Sequence, residues 1–193
     1  MAVNLAKGQR VTLDSSLRMA LVILNWDTNR YDGGHDFDLD ASAFLLGANG
    51  KVLNDKDFVF YGNLNARNGA IVHQGDNLVG GGDGEMIMID FAKIPNEVQK
   101  VAIAVTIYDS ATRKQNFGQV SNASIKVAKA QNEFDYQGET VLQFDLEEEF
   151  SIETGLVICE IYRHNGDWKF NAIAAGYQGG LATICRNYGV DVQ

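Results

Sequence analysis

Three aspartates alternate with apolar residues in the segment Asp36–Ala43, which reads Asp-Phe-Asp-Leu-Asp-Ala-Ser-Ala. Residues two apart in a β-strand share a face, so Asp36, Asp38, Asp40 and Ser42 are expected on one side and the apolar residues on the other. Neighbours on one face lie only about 6.8 Å apart along a strand, and no lysine or arginine lies within five residues to offset the carboxylates. A bound cation would relieve this repulsion.

A second acidic segment, residues 75–85, combines five glycines with Asp76, Asn77, Asp83 and Glu85. Glycine reaches left-handed backbone angles and lets carbonyl oxygens turn inward beside the carboxylates. Calcium takes six to eight oxygens from carboxylates, amides and backbone carbonyls at about 2.3–2.6 Å. This loop offers all three ligand types, so it and the acidic strand together predict a calcium site.

Other sites fit these segments less well. A phosphate loop needs a lysine after its glycines, and a dinucleotide loop needs G-x-G-x-x-G in a βαβ unit. An EF-hand counted from Asp36 would need glycine at Ala41 and glutamate at Gly47. A calcium-binding β-roll needs several repeats, and a plain acidic turn stays as the simplest alternative. Zinc prefers imidazole and thiolate, and His35 and His73 beside the two segments are expected at the edge of the site or behind the ligands.

The composition narrows the function classes. The chain has 193 residues and a formal charge of −9, which argues against nucleic acid as a partner because phosphate binding needs a cationic surface. No apolar stretch is long enough to cross a bilayer and no signal-peptide core opens the chain, so we expect a cytoplasmic protein without a transmembrane segment. Cys159 and Cys185 are expected to be buried free thiols.

Short apolar or alternating runs, separated by turn signals such as Asn49-Gly50 and Asn165-Gly166, predict strands. Two segments predict short helices: 110–117, capped by Ser110, and 180–188. The chain is therefore expected to be mainly β, a two-sheet β-sandwich with a few short helices, forming one domain over residues 1–193. The predicted strands are Arg10–Leu13, Met19–Trp26, Phe37–Leu46, Phe58–Tyr61, Met86–Phe91, Lys100–Tyr108, Ala123–Val127, Thr140–Phe144, Gly155–Tyr162 and Trp168–Ala174.

Several further motifs accompany the acidic strand, which continues through Phe44, and the glycine loop. They are Asn25-Trp-Asp27, Phe58-Val-Phe-Tyr61, Gln115-Asn-Phe-Gly-Gln-Val120, Tyr162-Arg-His-Asn-Gly-Asp-Trp-Lys-Phe170 and the ending from Gly179 to Val190. With these motifs the sequence resembles the TerD family of tellurite-resistance and general stress proteins over essentially its whole length. The resemblance implies a β-sandwich with calcium sites between loops and complexes that include an integral membrane partner. The expected partners are therefore other proteins of a stress-resistance complex at the inner face of the membrane.

The family's calcium motifs map to the acidic strand and the glycine loop, with Asp27 and Asp36 as supporting candidates. The full candidate ligand set is Asp27, Asp36, Asp38, Asp40, Asp76, Asn77, Leu78, Gly80, Asp83 and Glu85. Family members usually read G-D-G-D-D-E where this chain has Gly82-Asp83-Gly84-Glu85-Met86-Ile87. Two acids are missing, Glu85 must replace an aspartate, and a second ion would be weakened or absent.

Three functions are consistent with the sequence. The leading hypothesis is a calcium-binding stress protein, not an enzyme, that acts through calcium-ordered loops and protein interaction. The alternative is a C2-like or lectin-like module that uses calcium to bind lipid or carbohydrate. An enzyme is the third: paired carboxylates could serve hydrolysis and Cys185 with His164 could form a nucleophile pair, but no sequence signature supports either.

Overall fold

The computed structural model describes residues 2–27, 36–75, 84–132, 138–146 and 152–191. Within these ranges the chain forms thirteen strands and two α-helices. The strands are β1 (Val3–Leu5), β2 (Arg10–Thr12), β3 (Met19–Asn25), β4 (Leu39–Leu46), β5 (Phe58–Val59), β6 (Asn65–Ala66), β7 (Ile71–His73), β8 (Glu85–Asp90), β9 (Lys100–Ile107), β10 (Ser124–Ala130), β11 (Thr140–Asp145), β12 (Gly155–His164) and β13 (Asp167–Tyr177), and the helices are α1 (Ser110–Arg113) and α2 (Gly180–Tyr188).

The strands form two sheets, which confirms the mainly β, two-sheet sandwich. One sheet has seven strands in the order β1-β11-β10-β3-β8-β7-β6, and the other has six in the order β2-β13-β12-β9-β4-β5. The pairs are antiparallel except for β1 with β11. The chain crosses between the sheets at its start, since β1 lies at the edge of one sheet and β2 at the edge of the other.

The main core lies between the two sheets and takes alternate residues from each strand. Leu39, Ala41 and Ala43 of β4 face this core, because side chains alternate between the faces of a strand. Phe44 of β4 faces the opposite way, into a smaller core that includes Ile184 of α2. Helix α2 therefore covers part of the outer face of the six-stranded sheet.

Helix α2 coincides with the predicted helix at 180–188, but the prediction for 110–117 was wrong in length and in its cap. Helix α1 ends at Arg113 because Lys114 turns left-handed, with φ 54°, and a separate 3-10 turn forms at Phe117–Gln119. The cap position belongs to Asp109, whose side chain makes no capping hydrogen bond. Phe117 is buried, and its N–H donates to the Glu153 carbonyl, which draws the chain away from the helix axis.

Strand boundaries mostly agree with the predictions to within a few residues. Strand β4 begins at Leu39 and not at Phe37, and β5 ends at Val59, after which Phe60 forms only an isolated bridge with Asn63. The short strands β1, β6 and β7 were not predicted. No helix in the described part of the chain is long and apolar enough to span a membrane.

Candidate metal centre

The acidic segment enters β4 with its carboxylates on the side away from the main core. Phe37 and Leu39 pack in that core, while Asp38 and Asp40 are only 5% and 7% exposed. Asp36 is exposed and lies before the strand begins. Two of the three predicted strand carboxylates are thus buried side chains, which the protein must compensate with polar or charged partners.

One such partner is a cation that comes from far along the chain. Arg113, in the last turn of α1, places Nη1 3.6 Å from Asp38 Oδ2, and its guanidinium lies over the Tyr108 ring at 5.3 Å from the centroid. The backbone holds this arrangement, because the Tyr108 N–H donates to the Asp38 carbonyl. The structure therefore supplies the positive charge that the local sequence lacks.

At Ala41, the side chains of Glu85 and His73, and not a neighbouring strand, bind the backbone at the edge of β4. Strand β5 pairs with β4 only at Ala43 and Phe44, so the outward backbone groups of Ala41 lie beyond its end. The Ala41 N–H donates to Glu85 Oε2 at 2.5 Å, and His73 Nε2 lies 3.2 Å from the Ala41 carbonyl. Both side chains are buried, so they join β7 and β8 of one sheet to β4 of the other.

The tautomer of His73 follows from its neighbours. The Gly75 N–H donates to His73 Nδ1 at 3.2 Å, and a nitrogen that accepts this bond carries no proton when the ring is neutral. The proton is then on Nε2, which donates to the Ala41 carbonyl and lies 3.4 Å from Glu85 Oε2. One oxygen of Glu85 is therefore already engaged within the protein; its predicted role as a calcium ligand stays a prediction.

Gly84 can only be glycine at the point where β8 begins. Its φ is +35°, and a Cβ built on it would lie 1.6 Å from the Leu24 carbonyl oxygen of β3. Leu24 pairs with Glu85 across the β3–β8 ladder. This close approach of two backbones fixes the start of β8 and with it the position of Glu85.

Asp27 lies just beyond the end of β3, at the same end of the seven-stranded sheet as Glu85. It accepts a hydrogen bond from Asn122 Nδ2 at 2.7 Å. Its neighbour Trp26 donates Nε1–H to the Phe37 carbonyl at 3.0 Å, which ties the end of β3 to the chain leading into β4. Asp27, Asp38, Asp40 and Glu85 therefore lie at one end of the sandwich.

The rest of the candidate ligand set lies outside the described residues. These are Asp76, Asn77, Leu78, Gly80 and Asp83, together with His35. The described residues that flank the glycine loop are Gly75, which follows His73 by two positions, and Gly84, which directly precedes Glu85. In the described ranges, no three His, Cys, Asp or Glu side chains form a group that could hold a metal ion.

The two cysteines are buried free thiols, as the sequence predicts. Burial raises the pKa of the Cys185 thiol to about 11, and it also raises the pKa of Cys159. Cys185 packs in the smaller core under α2, whereas His164 is an exposed residue at the end of β12. Both thiols are therefore protonated at neutral pH, and thiolate is the form that reacts.

Comparison with known proteins gives one consistent result. The TerD domain model matches residues 1–188. The chain is 48% identical to general stress protein 16U of Bacillus subtilis (strain 168) over 197 residues, covering 100% of both chains, and 47% identical to the tellurium resistance protein TerD of Serratia marcescens over 196 residues, covering 99% of both. The crystal structure of SAV2460, a protein of unknown function, superposes with a TM-score of 0.71 at 20% identity, covering 92% of this chain and 100% of that one.

Proposed function

Since the chain belongs to the TerD domain family of tellurium-resistance and general stress proteins, we propose that it is a cytoplasmic calcium-binding stress-response protein. Calcium would order the acidic loops at one end of the sandwich. The ordered loops would then form the surface that binds other proteins of a stress-resistance complex at the inner face of the membrane.

The proposal rests on the burial of two carboxylates of the first acidic segment, Asp38 and Asp40. Asp38 and Asp40 are more than nine-tenths buried, and the Arg113 guanidinium lies 3.6 Å from Asp38. Burying two carboxylates close together is costly, and a divalent cation would offset that cost. Within the described ranges, the buried Ser42 hydroxyl has no hydrogen-bond partner; it lies two residues after Asp40, on the same face of β4. These oxygens are the hard donors that calcium prefers.

The residues of this chain would act in three ways. Asp38 and Asp40 would bind the ion together with Asp76, Asn77 and Asp83 and the carbonyls of Leu78 and Gly80, with Asp27 and Asp36 in support. Glu85 holds the β8 end of the loop against β4 through the Ala41 N–H. Arg113 lies 3.6 Å from Asp38 and would neutralise it when no ion is bound, which would let the protein tolerate its acidic cluster without calcium.

The two thiols do not favour a redox role for the protein. Reduction of a tellurium oxyanion by cysteine would need an accessible thiolate. Cys159 and Cys185 are both 0% exposed, and burial raises both pKa values. Changing both cysteines to alanine should therefore leave any resistance that the protein confers on cells intact, provided that the protein still accumulates.

The proposal is tested by calorimetric titration of chelator-stripped protein with calcium. Asp38→Asn, Asp40→Asn and Asp83→Asn should each weaken binding by at least about tenfold, since ligand charge sets calcium affinity. Asp55→Asn, which removes an equal charge at an exposed site in the 3-10 turn Asp55–Asp57, should not change it.

Calcium should also stabilise the fold. At about 100 times its Kd, a ligand that binds only the folded state adds about 2.7 kcal/mol, which is a rise in Tm of about 5–10 °C for a chain of this size. Absence of binding at millimolar calcium would refute the proposal. Calcium-dependent binding to vesicles or glycans would favour the C2-like or lectin-like alternative instead.

A further inference from the structure

A cleft of about 680 Å³ opens on the outer face of the six-stranded sheet, between the end of β9, helix α1 and the start of α2. Asp40 and the buried Thr106 lie in its wall, and Tyr61, Tyr108 and Ile152 also line it. These last three are among the few large hydrophobic side chains that are exposed in the described residues, at 47%, 47% and 57%. Clustered exposed aromatic and aliphatic groups around a cleft are typical of a binding site.

The protein already binds one cationic group at the side of this cleft. The guanidinium of Arg113 lies over the Tyr108 ring and 3.6 Å from Asp38. Aromatic rings attract cations through their negatively charged faces, and more strongly where a carboxylate lies nearby and water is partly excluded. Asp40 and Tyr61 bring a second carboxylate and a second tyrosine to the same cleft.

The charges around the cleft favour a positively charged ligand. Among the described residues, the lining carries two carboxylates, Asp40 and Asp109, and one lysine, Lys114, while Arg113 at its side is paired with Asp38. The whole chain carries a formal charge of −9. Asp109 and Lys114 flank α1 and both have left-handed backbones, at φ 49° and 54°. Such conformations are costly for residues other than glycine and often occur at functional sites.

We propose that this cleft binds an organic cation, a guanidinium or primary ammonium group on an apolar stem, with Asp40 as its counter-ion and the rings of Tyr61 and Tyr108 against the stem and the charge. The volume is in the range of small-molecule sites. The same chemistry is offered by a free alkylguanidine and by an arginine side chain of a partner protein, and the experiment below separates these two sources.

Cation binding in the cleft does not require calcium, although Asp40 is a proposed ligand of both. If Asp40 binds calcium as well as the cation, the two ligands compete, and each weakens the other by the same factor. Cation binding is therefore measured first in a chelator and then with calcium at constant ionic strength. Loss of cation affinity in calcium supports a shared Asp40; an unchanged affinity supports the cleft and argues against Asp40 as a calcium ligand.

The experiment is an NMR titration of ¹⁵N-labelled full-length protein with three probes. N-acetyl-arginine amide represents a partner side chain, N-butylguanidine represents a free alkylguanidine with the same single positive charge, and N-acetyl-citrulline amide has the shape of the first probe without its charge. We expect shifts of the amides of Tyr108, Asp109 and Lys114 with one or both cations, at an affinity at least about tenfold above that for citrulline. The tighter cation identifies the source.

Substitutions around the cleft test the site itself. Asp40→Asn and Tyr61→Ala should each weaken cation binding by about tenfold or more, and Lys114→Gln should strengthen it because it removes a like charge. Leu64→Ala is the matched control for Tyr61→Ala, since Leu64 is 46% exposed and is not part of the cleft. Two results would overturn the inference. The first is the absence of amide shifts with either cation at about 10 mM, a concentration at which even millimolar binding would show. The second is an equal affinity for the citrulline probe.

Discussion

The ion pair between Arg113 and Asp38 leads to a prediction about calcium affinity. Arg113 supplies positive charge 3.6 Å from an oxygen of a proposed calcium ligand, so calcium must compete with it for Asp38. Arg113→Gln removes that competition. Loss of this ion pair should therefore strengthen calcium binding, whereas a residue that merely supported the site would weaken it when changed.

The magnitude follows from the distance and the exposure. Two unit charges 3.6 Å apart interact by about 1 kcal/mol in water and about 5 kcal/mol at an effective dielectric of about 20. The Arg113 side chain is 23% exposed, and solvent screening and the cost of ordering the side chain reduce the net value. We expect about 1–2 kcal/mol, which corresponds to a roughly 5- to 30-fold lower calcium Kd.

The assay is calcium calorimetry on chelator-stripped wild-type, Arg113→Gln and Arg186→Gln proteins at one ionic strength. Arg186 lies exposed on α2, so its variant makes the same change in net charge and should alter the Kd by less than about twofold. Melting curves in chelator should show that Arg113→Gln lowers the free energy of unfolding by the same interaction, about 1–2 kcal/mol. An unchanged or higher Kd for Arg113→Gln would refute the reasoning and would make Arg113 a residue that positions Asp38.

Three further predictions concern stability. Arg67 binds the buried Asp57 through two hydrogen bonds of 2.6 and 2.7 Å, so Arg67→Ala should lower the free energy of unfolding in urea by about 3–5 kcal/mol. Glu97→Gln, at the exposed end of the same guanidinium, should lower it by at most about 1 kcal/mol. Equal losses for the two variants would contradict the importance of the buried pair. Gly84→Ala should prevent folding, measured as loss of the β circular-dichroism signal, because the new Cβ would overlap a β3 carbonyl; a folded variant would show that β8 can move. Burial raises the pKa of Cys185 from about 9 to about 11, so the thiol ionises at lower pH in the unfolded chain than in the folded one. The free energy of unfolding should therefore fall as pH rises from about 9 to about 11, by up to about 1.4 kcal/mol per pH unit. Cys185→Ala should reduce this fall, and an identical pH dependence in the variant would contradict the prediction.

The sequence alone predicts much of the β-sandwich because its signals are local. The alternation through β4 places Leu39 on the core face and Asp40 on the other, and the helical spacing of 180–188 defines α2. The strand β7 was missed because three residues, Ile71–His73, give too short a pattern to stand out after the Asn68-Gly69 turn. Its existence depends on pairing with β8, which only the folded chain shows.

The candidate site was likewise predictable from the sequence only where its signal is local. Acidic spacing identifies Asp38 and Asp40 as unusual, but it cannot show that Arg113, 75 positions after Asp38, supplies the opposing charge. Nor does any motif connect His73 and Glu85 to the backbone of Ala41. These contacts come from the way the two sheets meet, so they are tertiary properties with no local signal.

The contact between Glu85 and Ala41 suggests how an ion could affect both acidic segments together. Ala41 follows Asp40 directly, and its N–H binds Glu85, the first residue of β8 after the glycine loop. Its carbonyl lies beside His73, the last residue of β7 before that loop. Both ends of the loop are therefore fixed to the backbone next to Asp40 by buried hydrogen bonds, which change little in length without a large cost. An ion that binds Asp40 would act at the same short stretch of β4 that anchors the loop, so calcium binding and loop order should change together. Calcium should therefore protect the amides of Gly75 and Gly84 from hydrogen exchange. Glu85→Gln, which weakens the bond from the Ala41 N–H, should reduce this protection by a larger factor than it raises the calcium Kd in calorimetry.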